Sequence, residues 1–215
     1  MDRRAIPRAA AERLPMYLKA LRDAQAEGVA QLSSAQIGRM SGGNSAQVRK
    51  DFSYIGDLGM KGSGYDVDHV VARLVDVIGV ATPRRGALFG HGWLGAALFS
   101  HGESMSMDFE VVAVFDSDPK KIGTTVDGIT IQGLDEVEAA YRERAIEVAV
   151  IATPPEFAQD VADVIVAAGG RAILNMTPQH VEVPGYVHVR HACLCTELHS
   201  LSFLLARDDS RVRTA

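Results

Sequence analysis

Gly90-His91-Gly92-Trp93-Leu94-Gly95 sets three glycines at G-x-G-x-x-G spacing, directly after the apolar run Gly86-Ala87-Leu88-Phe89 and before the helix-forming Ala96-Ala97-Leu98-Phe99. In that context the glycines permit a tight turn and the close approach of a pyrophosphate to a helix N-terminus. A second apolar run, 109–115, ends at Asp116, 21 residues after the last glycine. A carboxylate there accepts hydrogen bonds from an adenine ribose. Asp116 also repels a 2′-phosphate, which favours NAD(H) over NADP(H), with Lys120 and Lys121 nearby as a counterweight. Farther on, Thr153-Pro154 follows an apolar strand over 146–152, and Asn175-Met176-Thr177-Pro178 follows a short one over 172–174. Strand ends of this kind line the ligand crevice of a doubly wound sheet, or serve as turn chemistry alone.

A second chemical set lies near the N-terminus. Asn44 caps a helix with Gln47 three residues on, and Val48, Phe52 and Ile55 fall on one buried face. The opposite face carries Ser45, Gln47, Arg49, Lys50 and Ser53. Gln and Arg suit base edges, and Ser and Lys suit phosphates. Before it, Ser33 with Gln36 opens a helix through Ile37 and Met40 that Gly42-Gly43 ends, so the pair reads as a helix-turn-helix. Gly59, Gly62 and Gly64 punctuate Met60-Lys61 and Ser63 before Tyr65, a reversal with a basic tip that fits a wing or an ordinary hairpin.

The remaining elements must hold these sets in place. Leu14, Leu18 and Leu21 give the segment 10–27 an apolar stripe, and Gly28 closes it. Residues 157–168 read as a helix, and Leu198, Leu201, Leu204 and Leu205 give 197–206 an apolar face that needs a partner, either its own sheet or a second subunit. The 215 residues, 47% hydrophobic and 23% charged, suffice for two domains with cores. Residues 1–82 hold 11 Lys and Arg against 9 Asp and Glu, whereas the remainder holds 11 against 18. No window approaches the roughly 18 apolar residues of a spanning helix. Arg3, Arg4, Arg8 and Glu12 interrupt the N-terminus where a signal peptide is apolar, so a cytoplasmic location without membrane contact is expected. Cys193 and Cys195, on a segment read as extended, are expected to point to opposite faces and to remain buried free thiols.

The stretch Ser45-Ala46-Gln47-Val48-Arg49-Lys50-Asp51-Phe52-Ser53-Tyr54-Ile55-Gly56, followed by Lys61-Gly62-Ser63-Gly64-Tyr65-Asp66-Val67, closely resembles the recognition helix and wing of the Rex family of redox-sensing transcriptional repressors. The order of the later features agrees along almost the whole chain. The resemblance implies an α/β chain with three parts: a winged helix-turn-helix domain over 1–82, a Rossmann-like doubly wound parallel sheet over 83–195, and a C-terminal helix and tail over 196–215. That helix is implied to be domain-swapped in a homodimer. Further implications are NADH as effector and a double-stranded DNA operator with an inverted repeat. Ser45, Gln47, Arg49, Lys50, Ser53, Tyr54, Lys61 and Gly64 face the DNA in this reading. Gly90, His91, Gly92, Trp93, Leu94, Gly95 and Asp116 hold NAD(H), with Thr153, Pro154, Asn175, Thr177 and Pro178 around its nicotinamide half.

Three positions depart from the family pattern. Trp93 replaces an Asn in the glycine motif, where it obstructs the site, stacks on the cofactor or packs outward. His101 stands where an aromatic residue is common, and Cys193 stands where a carboxylate is expected. The resemblance implies that these two positions link the cofactor to the DNA-binding domains, so a relative with an altered NADH response is the second reading. A small NAD-dependent oxidoreductase is a third, but only about 37 residues follow Pro178 and leave no substrate domain. No carboxylate spacing orients His180, His188, His191 or His199 for catalysis. A CoA-binding module is a fourth, and the helix-turn-helix argues against it.

Overall fold

The computed structural model describes residues 5–60, 64–100 and 108–212. The chain divides into two compact units, Met1–Thr82 and Pro83–Ala215.

In the first unit, α1 (Arg8–Ala11) leads into α2 (Leu14–Ala26), and Pro15 sits in the first turn of α2, where its missing N–H costs no hydrogen bond. β1 (Gln31–Leu32) precedes α3 (Ser34–Met40) and α4 (Ser45–Ser53). Both caps form as their spacing requires. The Ser33 hydroxyl accepts from Gln36 N–H at 3.2 Å, Gln36 Oε1 accepts in return from Ser33 N–H at 2.9 Å, and Asn44 Oδ1 accepts from Gln47 N–H at 2.9 Å. β2 (Gly59–Met60) and β3 (Gly64–Asp66) form the hairpin of a three-stranded antiparallel sheet ordered β1-β3-β2, and α5 (Val67–Ile78) closes the unit. Leu21, Ile37, Val48, Ile55, Val67 and Leu74 are buried together in its core. An edge-to-face series of rings, Tyr17 on Phe52 at 5.5 Å and Phe52 on Tyr65 at 5.1 Å, ties α2 and α4 to the hairpin.

The second unit alternates strand and helix. β4 (Arg84–Phe89), α6 (Trp93–Ser100) and β5 (Phe109–Phe115) are followed by the hairpin β6 (Thr125–Val126) and β7 (Ile129–Gln132). Then come α7 (Val137–Arg144), β8 (Val148–Ile151), α8 (Ala158–Ala167), β9 (Ala172–Asn175), β10 (His188–His191) and α9 (Leu194–Val212). The sheet order is β10-β9-β8-β4-β5-β7-β6. Every pairing is parallel except the antiparallel β6 on β7. Leaving β6 aside, the order is that of a doubly wound dinucleotide fold, and the strand order reverses between β4 and β8. Phe89 and Phe115, stacked 4.9 Å apart, fill the centre of the core with Ile151 and Ile165.

The expectation for the cysteines is overturned. β10 ends at His191 and α9 begins at Leu194, so the pair straddles a helix entry and not a strand. Cys193 and Cys195 are joined in a disulfide with Cα atoms 5.5 Å apart. Neither is buried: Cys193 is half-buried and Cys195 exposed. Among the described residues no helix is long and apolar enough to cross a membrane.

Candidate functional site

In the first unit, α4 presents the expected polar face. Arg49, Lys50 and Ser53 are exposed, whereas Ser45, Gln47 and Tyr54 are half-buried. Two side chains are held from neighbouring elements. Arg49 Nη1 donates to Ser34 Oγ on α3 at 3.0 Å, and the Gln47 amide oxygen accepts from Arg13 Nε at 3.1 Å and Nη1 at 3.2 Å. Arg49 is thereby fixed beside the face with donors to spare, while Gln47 shares its acceptor with Arg13. Gly64 begins β3, and Lys61 lies outside the described residues.

Beneath this face is a group that the motif reading missed. Asp51 is 1% exposed. Its carboxylate accepts from Arg13 Nε and Nη2, both at 2.7 Å, and from the Tyr17 hydroxyl at 2.7 Å. Burial pushes the Asp51 carboxyl up, but the hydrogen bonds from Arg13 and Tyr17 outweigh it and hold the group below the usual carboxylate range. Burial and the same carboxylate push the Tyr17 phenol up to about 12. The fork-on-carboxylate pair therefore fixes the axial rotation of α4 against α2 and decides which residues of α4 face outward.

In the second unit, the glycine loop sits at the carboxyl end of β4, where the strand order reverses. Gly90 has φ +94°, and a Cβ there would lie 2.8 Å from Ala152 O and 3.0 Å from Thr153 Cγ2 on the neighbouring strand end. A Cβ on Gly95 would run into the Gly90 carbonyl oxygen. The loop thus folds back on the start of α6 and touches the end of β8, which brings Thr153 to the glycines as the strand-end reading expects. Gly92 has open space around it. His91 and Leu94 are half-buried, and Trp93, 88% exposed, points into solvent, so of its three possible placements the outward one is realised.

Asp116 ends β5 beside this loop and is 7% exposed. Its Oδ2 accepts from His91 N–H at 2.9 Å and from Lys121 Nζ at 2.8 Å, and its Oδ1 accepts from Asp118 N–H at 2.9 Å. Burial pushes its pKa up, and the hydrogen bonds from Lys121 and the two backbone amides overcome that and leave it below the usual range, so the site holds a carboxylate. Lys121 was legible in the sequence only as a nearby charge, and here it occupies the acceptor itself.

Across the crevice, Asn175 is fully buried and Thr177 is 3% exposed. Asn175 Nδ2 donates to Gln179 O at 2.7 Å, and its Oδ1 accepts from Thr177 N–H at 2.9 Å. Thr177 Oγ1 accepts from Gln179 N–H at 3.2 Å. These two side chains build the 175–179 loop, and Pro154 and Pro178 are both exposed. Thr153 Oγ1 is buried and has no hydrogen-bond partner among the described residues. An orphaned hydroxyl beside a glycine cradle and a buried carboxylate is a donor set that a dinucleotide fits. His101 lies outside the described residues. No group of three metal-ligating side chains occurs among the described residues.

Comparison with known proteins agrees with this geometry at both ends of the chain. Residues 5–53 match the family model described as "Putative DNA-binding protein N-terminus" and residues 81–179 the one described as "CoA binding domain". The redox-sensing transcriptional repressor Rex of Roseiflexus sp. (strain RS-1) is 39% identical over 201 residues, covering 94% of this chain and 91% of that protein. The protein of the same name from Streptomyces griseus is 42% identical over 200 residues, covering 93% and 79%. Among solved structures, RSP, a Rex-family repressor, superposes with TM-score 0.85 at 25% identity, covering 97% of this chain and 98% of that one. Its complex with NAD+ and operator DNA superposes with TM-score 0.85 at 26% identity, covering 97% and 96%. With this identity extending through the winged helix and the dinucleotide fold alike, the chain belongs to the Rex family of redox-sensing transcriptional repressors, and it is a regulator, not an enzyme.

Proposed function

We propose that the chain acts in the cytoplasm as a homodimeric repressor that binds an inverted-repeat operator on double-stranded DNA and leaves it in response to NADH. The observation that carries the reading is the presence, in one chain, of the outward face of α4 and of the glycine cradle joined to Asp116. Arg49 and Gln47 read base edges, Ser45, Lys50, Ser53 and Tyr54 contact the backbone, and Lys61 and Gly64 belong to the wing. His91, Trp93 and Leu94 complete the loop whose glycines Gly90, Gly92 and Gly95 admit the pyrophosphate. Asp116 accepts from the adenosine ribose, and Thr153, Pro154, Asn175, Thr177 and Pro178 bound the nicotinamide side. Bound NAD(H) supplies the redox signal, because its two forms differ in nicotinamide charge and shape. The dimer reading rests on α9. Leu194, Leu198, Leu201, Phe203, Leu204 and Leu205 are all exposed on this helix, Leu198 by 62%. An apolar helix of that length needs a partner, and an exchanged helix in a two-fold dimer supplies one.

Asp116→Ala tests the reading. It is expected to leave operator binding in the absence of cofactor unchanged and to weaken NADH binding at least about tenfold, by loss of charge-assisted hydrogen bonds. Isothermal titration with NADH reads the second effect, and an unchanged affinity removes Asp116 from the site. Lys121→Met is expected to act in the opposite direction. A carboxylate offers about four acceptor positions, and three are taken in this chain, one of them by Lys121. Freeing it lets both ribose hydroxyls donate, so NADH binds more tightly, and weaker binding contradicts the competition. Arg49→Ala is expected to cost about 1–3 kcal/mol of specific operator affinity, measured as the ratio of specific to non-specific binding. An unchanged ratio takes Arg49 out of base reading.

A further inference from the structure

Cys193 and Cys195 are the only cysteines in the chain, and neither DNA recognition nor the dinucleotide cradle uses a thiol. Their Cα atoms are 5.5 Å apart and their sulfurs are bonded, so the backbone at the entry to α9 already holds the two within the ordinary disulfide range. Cys195 is exposed and Cys193 half-buried, which leaves the bond open to small thiols and the reduced pair open to small disulfides. Cys195 lies in the first turn of α9, and Cys193 immediately precedes that helix.

The segment that leads to the pair is tied to the crevice. His191 pairs in register with Asn175, and Ala192 N–H donates to Asn175 O at 2.9 Å. The His191 ring stacks on His180 at 5.2 Å. Cys193 is therefore one residue beyond a direct backbone link to the loop on the nicotinamide side, and Cys195 is already within the helix that carries the exposed apolar face. Disulfides in reducing compartments are mostly transient and redox-sensing rather than structural.

We propose that Cys193 and Cys195 form a reversible thiol–disulfide site, oxidised by low-molecular-weight disulfides, that gives this regulator a second redox input beside NADH. The Cys195 thiolate attacks one sulfur of the small disulfide and expels one thiolate, forming a mixed disulfide. The Cys193 thiolate then attacks the Cys195 sulfur and expels the second thiolate. The protein loses two electrons and two protons, and one small disulfide becomes two thiols. Ring closure fixes the first turn of α9, and ring opening releases it. The link to NADH rests on the dinucleotide reading above.

The test equilibrates the full-length protein in glutathione buffers from fully reduced to fully oxidised, followed by an acid quench, maleimide labelling and mass measurement. The expected product at the oxidising end is a single chain that lacks two hydrogens and carries no label. Cys193→Ser is expected to stop at a glutathione adduct on Cys195. Two labels persisting at the oxidising end, or cross-linked chains as the main product, overturn the site. The reduced and oxidised preparations are then bound to a labelled operator and titrated with NADH. A difference of at least about threefold in the NADH concentration for half-release is expected, roughly 0.7 kcal/mol. The double variant Cys193→Ser, Cys195→Ser should be the same in both buffers. Equal midpoints overturn the second input alone. No release by NADH in either state overturns the dinucleotide reading and, with it, the second input, while the modification site stands or falls on the mass readout.

Discussion

Asp51→Ala is expected to lower the stability of the N-terminal unit by about 3 kcal/mol, because removing one partner of a buried ion pair leaves the other without its counter-charge. The substitution takes away a carboxylate that is 1% exposed, and with it the acceptor for both Arg13 and the Tyr17 hydroxyl. α4 keeps its apolar packing through Val48 and Phe52 and the Arg49 bond to Ser34 but loses its buried ion pair with Arg13, so operator binding is weakened even at temperatures where the unit stays folded. The chain's one tryptophan is Trp93 in the second unit, so intrinsic fluorescence does not report this event. Hydrogen exchange of the α4 amides does. A change below about 1 kcal/mol would place Asp51 among ordinary surface pairs. Acid acts on the same group. Its folded pKa lies below that of the unfolded chain, so the stabilisation is complete above about pH 4 and is lost as pH falls through the depressed value. The wild-type N-terminal unit is therefore expected to unfold in acid at a lower pH than Asp51→Asn.

Gly95→Val is expected to reduce dinucleotide affinity by about a hundredfold, equivalent to roughly 3 kcal/mol, within the range that overpacking costs. A Cβ at 95 collides with the Gly90 carbonyl oxygen and comes within 3.3 Å of Leu88 Cδ2. Gly90 cannot yield, since its φ of +94° and its approach to Ala152 O already confine it. The loop must lift away from the end of β8, and the pyrophosphate cradle opens with it. Operator binding without cofactor is retained, since the first unit has its own core. NADH titration by fluorescence measures the loss, and an affinity within threefold of the wild type would mean that the cradle is not the binding site.

What the sequence made legible was local. The caps at Ser33 and Asn44 are i, i+3 patterns, and each appears with its hydrogen bonds made. β5 and the carboxylate at its end follow from a single apolar run. The Arg13 bond to Asp51 joins residues 38 apart, and no periodicity within either helix announces it. Lys121 was visible as a charge near Asp116, but only the turn after β5 shows that its ammonium reaches the carboxylate. The cysteines were misread for a boundary reason. The helix was expected from 197, and it begins three residues earlier at Leu194, which takes Cys195 out of the segment read as extended. α5, α7 and the β6–β7 hairpin carried no chemical motif, and they emerge as the parts that pack the caps and close the sheet edge. The apolar face of α9 was legible in its leucine spacing, and in the single chain that face is exposed.

The most direct measurement is fluorescence anisotropy of a labelled inverted-repeat operator, titrated with the protein alone, with NAD+ and with NADH. Specific binding that survives NAD+ and is abolished by NADH is the predicted result. Specific binding indifferent to NADH would contradict the account, leaving a DNA-binding regulator of the same fold whose dinucleotide cradle does not control it.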